Sequence, residues 1–379
     1  MPSTLDLLRP SQRLAIVAAG ILVAVTAALD AGGAPHVVVF LVAGLGLAAL
    51  AALVGQSIEQ IGERLGPGPT GLLQSSLGNL PELLVGIFAL RAGLTAVVQA
   101  ALVGSVLGNV LLVLGAAFVS GGVRHGTQRF DPEAPRMLVT LLTLAAAATL
   151  VPTLASRLDT PAVHHTAGLS DVTAVVLLLV YAASIPFWLG GGPQSPSHGE
   201  QQPPAGPGAP AEERSTTGPA PARTAELWPL GLAVALLAGA SVASGAVSDW
   251  FVSALTPATR SLGISPAFTG LVIVAIASNA VENVAGVRFA WKARPDYAIS
   301  TILNSPLQIT LFLTPILVLT SPLIGPAHLT LVFPPLLVAA LAVAVVVVAI
   351  VVYDGEYSWL EGVALIALYL IIAASFWWG

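Results

Sequence analysis

The chain has 379 residues, of which 56% are hydrophobic and 9% charged, and its mean hydropathy is +0.88. A soluble globular domain carries about 25% charged residues, so repeated long apolar runs place this chain among polytopic membrane proteins. The 14 Lys+Arg against 19 Asp+Glu leave no basic face for nucleic acid, and the lack of Cys excludes a disulfide framework, a thiolate metal site and a Cys nucleophile.

Crossing the hydrocarbon core takes about 20 mainly apolar residues. Eleven spans are predicted in chain order: 12–29, 36–55, 70–90, 95–119, 137–155, 170–189, 227–247, 265–290, 298–320, 329–352 and 358–377. Gly and Pro interrupt several of them, which membrane helices tolerate where neighbours satisfy the freed backbone groups. The loops then divide the positive charge unequally. Arg9, Arg13, Arg64, Arg124, Arg129, Arg136, Arg214, Arg223, Arg288, Lys292 and Arg294 fall on the side of the N-terminus, against Arg91, Arg157 and Arg260 on the other. Eleven against three predicts a cytoplasmic N-terminus and, with an odd number of spans, an external C-terminus. Residues 190–226 hold eight prolines and few apolar residues, and they read as a disordered cytoplasmic linker between two halves.

One register relates those halves. Shifted by 200 residues, Gly78-Asn79-Leu80-Pro81-Glu82 falls on Ser278-Asn279-Ala280-Val281-Glu282, Gly86 on Gly286, and Ser105 on Ser305. Matching Leu or Gly is common in apolar sequence; matching Asn, Glu and Ser is not. Each copy belongs to a block of five spans, 36–189 and 227–379, and an odd block length inserts successive copies in opposite orientation. The predicted fold is therefore an all-α polytopic membrane protein of about eleven transmembrane helices: one extra N-terminal helix within 1–35, then two inverted five-helix repeats. In secondary transporters of this plan the binding site lies near the bilayer midplane where the repeats meet.

Glu82 and Glu282 lie well inside predicted spans. A carboxylate facing lipid costs several kcal/mol, so each is expected to face the protein interior, and an intramembrane acid is a functional candidate by default. Two carboxylates carry about two negative charges, which one divalent cation or two protons neutralise. Competition between cation and protons thus follows from the residue types. The surrounding candidates are hard oxygen donors, which favours Ca2+ over a thiolate- or imidazole-seeking metal. They are Asn79, Asn279, Gly78, Ser278, Ser105, Ser305, Asn109, Gln99 and Gln308. Pro81 has no N–H for the Leu77 carbonyl, so the Gly78–Pro81 run is expected to break its helix at that depth, and Pro306 is expected to free the carbonyl of Ile302.

These residues carry a resemblance. Glu59-Gln60-Ile61-Gly62-Glu63-Arg64-Leu65-Gly66-Pro67, the Asn79–Glu82 motif, Val97-Val98-Gln99 and the run Gly104–Gly115 resemble the first repeat of the Ca2+/H+ antiporters, within the cation/Ca2+ exchanger superfamily. Leu262-Gly263-Ile264-Ser265, Asn279-Ala280-Val281-Glu282 and Gln308-Ile309-Thr310-Leu311-Phe312 are similar to the second repeat. The resemblance implies an eleven-helix antiporter whose two repeat glutamates bind Ca2+ or protons alternately. It also implies that Gln99 and Gln308 support the ion or gating hydrogen bonds, and that Glu59 and Asp249 line the approach. The chain departs from the family pattern at Asn283, where the family has His, at Ser278, where Gly is expected, at Asn304-Ser305-Pro306 and at Pro81. Arg288, six residues beyond Glu282, reads as a snorkelling anchor or as a charge biasing the site against cations.

The expectation is a secondary cation antiporter rather than an enzyme, since there is no H-E-x-x-H and the six His lie at span ends or in loops. A Na+-coupled exchanger and a cation channel are the competing classes. No cofactor is expected beyond the transported Ca2+ and H+. The partners expected are membrane lipid and inorganic cations, and the location a bacterial inner membrane.

Overall fold

The computed structural model describes residues 10–65, 77–158, 161–189 and 228–378, and the predicted linker lies outside them. Twelve helices make up nearly all of the described chain: α1 (Pro10–Ala31), α2 (His36–Leu65), α3 (Leu80–Arg91), α4 (Thr95–His125), α5 (Glu133–Arg157), α6 (Thr166–Leu189), α7 (Leu230–Leu262), α8 (Pro266–Ser278), α9 (Ala280–Trp291), α10 (Pro295–Ile324), α11 (Pro335–Val351) and α12 (Trp359–Ser375). Seven of these are long and apolar enough to cross a membrane, and α8 with α9 forms one further span bent by 62°. With α3, α11 and α12 they give eleven rod-like units, and the protein is an all-α polytopic membrane protein. The exception to the helical pattern is a two-residue antiparallel pairing of β1 (Gln128–Arg129) with β2 (Glu356–Tyr357).

The helices outrun their apolar segments. The predicted span at 36–55 becomes a helix reaching Leu65, because Gln-Ser-Ile-Glu-Gln are adequate helix formers and nothing breaks the helix before Gly66-Pro67. The predicted span at 227–247 becomes the 33-residue α7, capped by Gly263 at φ +66° in the left-handed conformation. At 1.5 Å per residue α7 is about 50 Å long, so it crosses a core of about 30 Å with tilt or overhang. Asp249, placed by sequence just past a span end, is therefore inside a helix, where it is exposed.

α2 and α7 pack against each other along much of their length, with Phe40 stacked on Phe251 at a centroid distance of 4.6 Å. Trp228, buried at the base of α7, donates its backbone N–H to Gln60 Oε1 and its indole N–H to Gln12, while Arg64 donates to its carbonyl. The entry to the second half is thereby fixed onto α1 and α2.

The 200-residue repeat is visible in the backbone. Within α4 the segment Gly108–Val113 opens into wide π turns, and Ile309–Leu313 does the same within α10. α3 and α9 are both twelve-residue half-helices. The helix breaks that precede them fall at Asn79 (φ −91°, ψ 18°) and Asn279 (φ −99°, ψ 9°). After each break the Asn carbonyl accepts the first bond of the new helix, from Leu83 N–H at 3.0 Å and from Asn283 N–H at 3.1 Å.

α4 and α8 cross in contact. A Cβ at Gly104 would lie 2.2 Å from the Leu271 carbonyl oxygen, and one at Gly270 would lie 2.6 Å from that of Val97. This close backbone approach holds the break at 278–279 beside Ser105.

Candidate functional site

The half-helix breaks deliver polar side chains into an apolar interior. Neither Asn79 nor Asn279 spends its side chain capping the helix that follows it, although Asn279 Nδ2 also reaches back to the Ala275 carbonyl at 3.0 Å. Asn279 Nδ2 instead donates to Glu82 Oε1 and to Ser105 Oγ (3.0 Å), so the second repeat's break reaches the first repeat's acid. Glu82 Oε1 also accepts from Ser105 Oγ and from Ser278 Oγ, both at 3.2 Å. Glu82 is 8% exposed, Asn79 and Asn279 4%, and Ser105 6%, which makes this a buried polar centre built around an acid.

The network continues away from the carboxylate. Asn109, in the wide turn of α4, donates to the Ser105 carbonyl at 2.9 Å and to Asn279 Oδ1 at 3.4 Å. Ser305 Oγ donates to the same Asn279 oxygen at 3.4 Å and lies 3.5 Å from Asn109 Nδ2. Hydroxyls and amides from both repeats therefore surround one acid at the level of the breaks. π turns occur often at functional positions, and here the turn presents Asn109. The Oδ1 atoms of Asn109 and Asn283 are buried without a hydrogen-bond partner among the described residues. Buried polar atoms are usually satisfied, so such oxygens are good positions for a cation.

Other expected residues are placed differently. Asn79 Nδ2 donates to Gln308 Oε1 at 2.9 Å, a buried pair beside the Glu82 network rather than part of it. Gly78 forms the half-buried turn before Asn79. Gln99 is not brought to the centre: its Nε2 donates to the carbonyls of Thr330 (2.9 Å) and Val332 (3.1 Å), in the segment joining α10 and α11. Glu282 lies in the first turn of α9, and its side chain is outside the described residues. Glu59, Asp249 and Arg288 are exposed. Asn283, met in sequence only as a departure from the family pattern, gains interest through its unpartnered buried oxygen, which adjacency to Glu282 could have flagged.

A narrow cleft opens beside the centre. Glu82, Ser105 and Ser278 are its polar lining; Val85, Ala89, Val98, Leu255 and Leu317 are among its apolar walls. All of these walls lie on the side of the breaks nearer Arg91 and Arg260, along α3, α4, α7, α8 and α10.

Two repeats whose broken helices meet at a buried carboxylate define the architecture of an inverted-repeat membrane exchanger. The chain belongs to the sodium/calcium exchanger protein family, whose model matches residues 35–189 and 232–378. Within it the chain groups with the Ca2+/H+ antiporters. It is 36% identical over 351 residues to a Ca(2+)/H(+) antiporter of Synechocystis, covering 89% of this chain and 90% of that protein. It is 32% identical over 370 residues to the Ca(2+)/H(+) antiporter ChaA of Bacillus subtilis, covering 95% and 97%. Among solved structures, native YfkE superimposes with a TM-score of 0.78 at 28% identity, covering 96% of this chain and 99% of that one.

Proposed function

We propose that the protein is a secondary antiporter exchanging Ca2+ for H+ by alternating access, with Glu82 and Glu282 as the groups that take either cation or proton. The observation that carries this reading is the Asn279–Glu82 bond, which joins the two repeat motifs at one buried acid. The antiporter names of the relatives support the choice of Ca2+ and H+.

The chemistry follows from charge. A buried carboxylate without a counter-charge is costly, and either a bound cation or a proton relieves that cost. Glu82, with Glu282 as its repeat partner, supplies negative charge. Asn109 Oδ1, Asn283 Oδ1, Asn279 Oδ1 and the hydroxyls of Ser105 and Ser305 supply neutral oxygens of the kind Ca2+ prefers. Cation and protons cannot fill both acids at once, so arrival of one set releases the other. Rocking of the repeats then exposes the loaded centre to each side in turn. The cleft lies on the side that the charge count makes non-cytoplasmic, and this supports reading the described conformation as one reached from outside. On the same count the N-terminus and the segment 190–226 are cytoplasmic, and the bacterial relatives support a bacterial inner membrane.

The test is radiolabelled Ca2+ uptake into proteoliposomes under an imposed pH gradient or an imposed Na+ gradient. Uptake driven by pH alone, and lost in both Glu82→Gln and Glu282→Gln, is expected. Uptake driven only by Na+ would assign the protein to Na+-coupled exchange, and normal uptake by the Gln variants would remove the glutamates from the mechanism.

A further inference from the structure

We infer that the end of the fold where α4, α9 and α12 meet binds the headgroup of an anionic phospholipid, with Arg124, Arg288 and Lys292 as its cations and Trp291 as the ring that seats Arg124. This surface is separate from the Glu82 centre, and the inference does not depend on which ions are exchanged.

The repeat singles this surface out. The turn after α3 and the turn after α9 have the same backbone: Gly93 lies at φ +74° and, 200 residues on, Ala293 at φ +54°. Their side chains differ. Phe88, Arg91, Ala92 and Leu94 of the first repeat become Arg288, Trp291, Lys292 and Arg294 of the second, so three cations and an exposed Trp stand where one cation stood. A charge bias between membrane faces accounts for the number of cations but not for their arrangement. Arg124, at the end of α4, lies over the Trp291 ring with its guanidinium carbon 4.6 Å from the centroid. His125 Nε2 meets the Trp291 carbonyl at 3.1 Å, which joins the same two helix ends a second time. The tail of α4 is wedged in place: a Cβ at Gly121 would lie 3.3 Å from the Ala290 carbonyl oxygen, and one at Gly122 would lie 2.6 Å from the Trp359 nitrogen. Stacking on a ring leaves the N–H edges of a guanidinium free, and that planar fork matches a phosphate.

The cations lack a counter-charge from the protein. Among the described residues none of Arg124, Arg288 and Lys292 pairs with a carboxylate. Acids at this end are engaged elsewhere: Glu356 pairs with Arg129 at 3.3 Å, Asp296 accepts the Asp131 N–H, and Glu361 accepts the Ser358 N–H at the start of α12. Charge complementarity therefore calls for an anion, and the apolar surroundings make it a lipid. Val284, Arg288 and Trp291 follow one another at i, i+4 and i+7 on an exposed face of α9, with Lys292 beside them, so an apolar stripe ends in charge. Val123 and Leu360 are exposed on either side of the crossing of Gly122 and Trp359. Acyl chains fit along this face while the phosphate stays level with the cations, as in basic pockets between membrane helices. The lipid would span both repeats, because α4 carries Ser105 and Asn109 and α9 begins at the break after Asn279.

The experiment is native mass spectrometry of the purified full chain in neutral detergent, titrated with phosphatidylglycerol, phosphatidylcholine or inorganic phosphate. Retention of phosphatidylglycerol, and of neither other probe, is expected. Arg124→Gln, Arg288→Gln and Lys292→Gln should each weaken phosphatidylglycerol binding about fivefold, the effect of one cation near an anionic lipid. Trp291→Ala leaves the charge unchanged and should weaken it about threefold by unseating Arg124. Arg91→Gln and Arg157→Gln remove the same charge at the opposite end and should change it less than about twofold. All of these side chains are exposed, and thermal unfolding without lipid should stay at the wild-type midpoint, which shows that each variant is folded. Added phosphatidylglycerol should raise that midpoint in the wild type and not in the variant lacking all three cations. Equal retention of phosphatidylcholine, or equal losses in the Arg91 and Arg157 variants, would overturn the inference in favour of unselective lipid or charge binding. Displacement of the lipid by millimolar inorganic phosphate would make this a site for a free anion instead. A changed oligomeric mass with unchanged lipid retention in the triple variant would make it a contact between copies of the chain.

Discussion

Asn79 and Asn279 share one backbone conformation but not one partner: Asn79 donates to Gln308, whereas Asn279 donates to Glu82. Symmetry of the chain thus produces an asymmetric centre. A hydrogen bond to a charged group is worth about 1.5–3 kcal/mol, against about 1 kcal/mol for a neutral pair. Asn279→Ala is accordingly expected to weaken Ca2+ binding about tenfold or more. Asn79→Ala should alter affinity less and act mainly on thermal stability, by stranding Gln308. Ca2+ titration and thermal unfolding of the two variants side by side check this, and equal affinity losses would contradict it.

The crossing of α4 and α8 allows no side chain at Gly104, because a Cβ there would sit 2.2 Å from the Leu271 carbonyl oxygen. The obstacle is backbone and cannot rotate away. Gly104→Ala should lower stability by at least the 1–3 kcal/mol typical of overpacking, about enough to reduce the yield of folded protein, and should displace Ser105 from Glu82. Gly108, four residues on, has nothing within 4 Å of its Cβ position and helical angles of φ −57°, ψ −48°. Gly108→Ala should therefore be neutral or slightly stabilising. Thermal unfolding in detergent distinguishes the pair.

The centre was legible in sequence because its residues are chemically conspicuous. An Asn-x-x-Glu placed twice, 200 residues apart inside apolar spans, needs no structure to be noticed. In the fold Ser105, Ser278 and Asn279 all hydrogen-bond to Glu82. Other features left no such trace. The wide turns at Gly108–Val113 and Ile309–Leu313 lie inside continuous apolar helical sequence, where hydropathy carries no sign of them. The overrun of α7 past its apolar segment hid that the exposed Asp249 lies within the helix, since hydropathy reports where lipid is rather than where a helix stops. Nor could sequence show that Gln99 reaches the carbonyls of Thr330 and Val332, because irregular backbone takes its donors from side chains distant in the chain.

That backbone is the segment between α10 and α11. Besides Gln99, Ser170 Oγ accepts the Leu331 N–H at 2.9 Å, and Thr153 Oγ1 accepts from Phe333 N–H (3.1 Å) and lies 3.2 Å from the Leu331 carbonyl. His328 and Asp171 meet at 3.0 Å beside them. Helices of the first repeat thereby clasp a loop of the second. Gln99→Ala should leave alkaline-pH Ca2+ affinity within about threefold while raising hydrogen exchange across residues 329–333, since local opening follows loss of a segment's backbone partners. A large affinity loss without faster exchange would return Gln99 to the ion.

At the opposite end of α4, Tyr357 packs parallel to Phe118, with centroids 4.0 Å apart and planes 3° apart, and is 1% exposed. Burial, reinforced by the negative charge of Asp296, pushes its phenol from 10.0 up to about 12. In the unfolded chain the phenol ionises near 10, so between about pH 10 and 12 unfolding releases a proton that the folded protein keeps. The contribution of this group to stability is therefore complete below about pH 10 and is lost as the pH rises through 12. Tyr357→Phe keeps the stack and removes the ionisation. Phenolate absorbance of the folded protein should show a step near pH 12 that shrinks by one phenol in Tyr357→Phe, and thermal stability of the variant should fall less steeply over the same alkaline range. Identical titrations of the two proteins would mean that the pocket between α4 and β2 admits hydroxide and water, and that the ring is not sealed there.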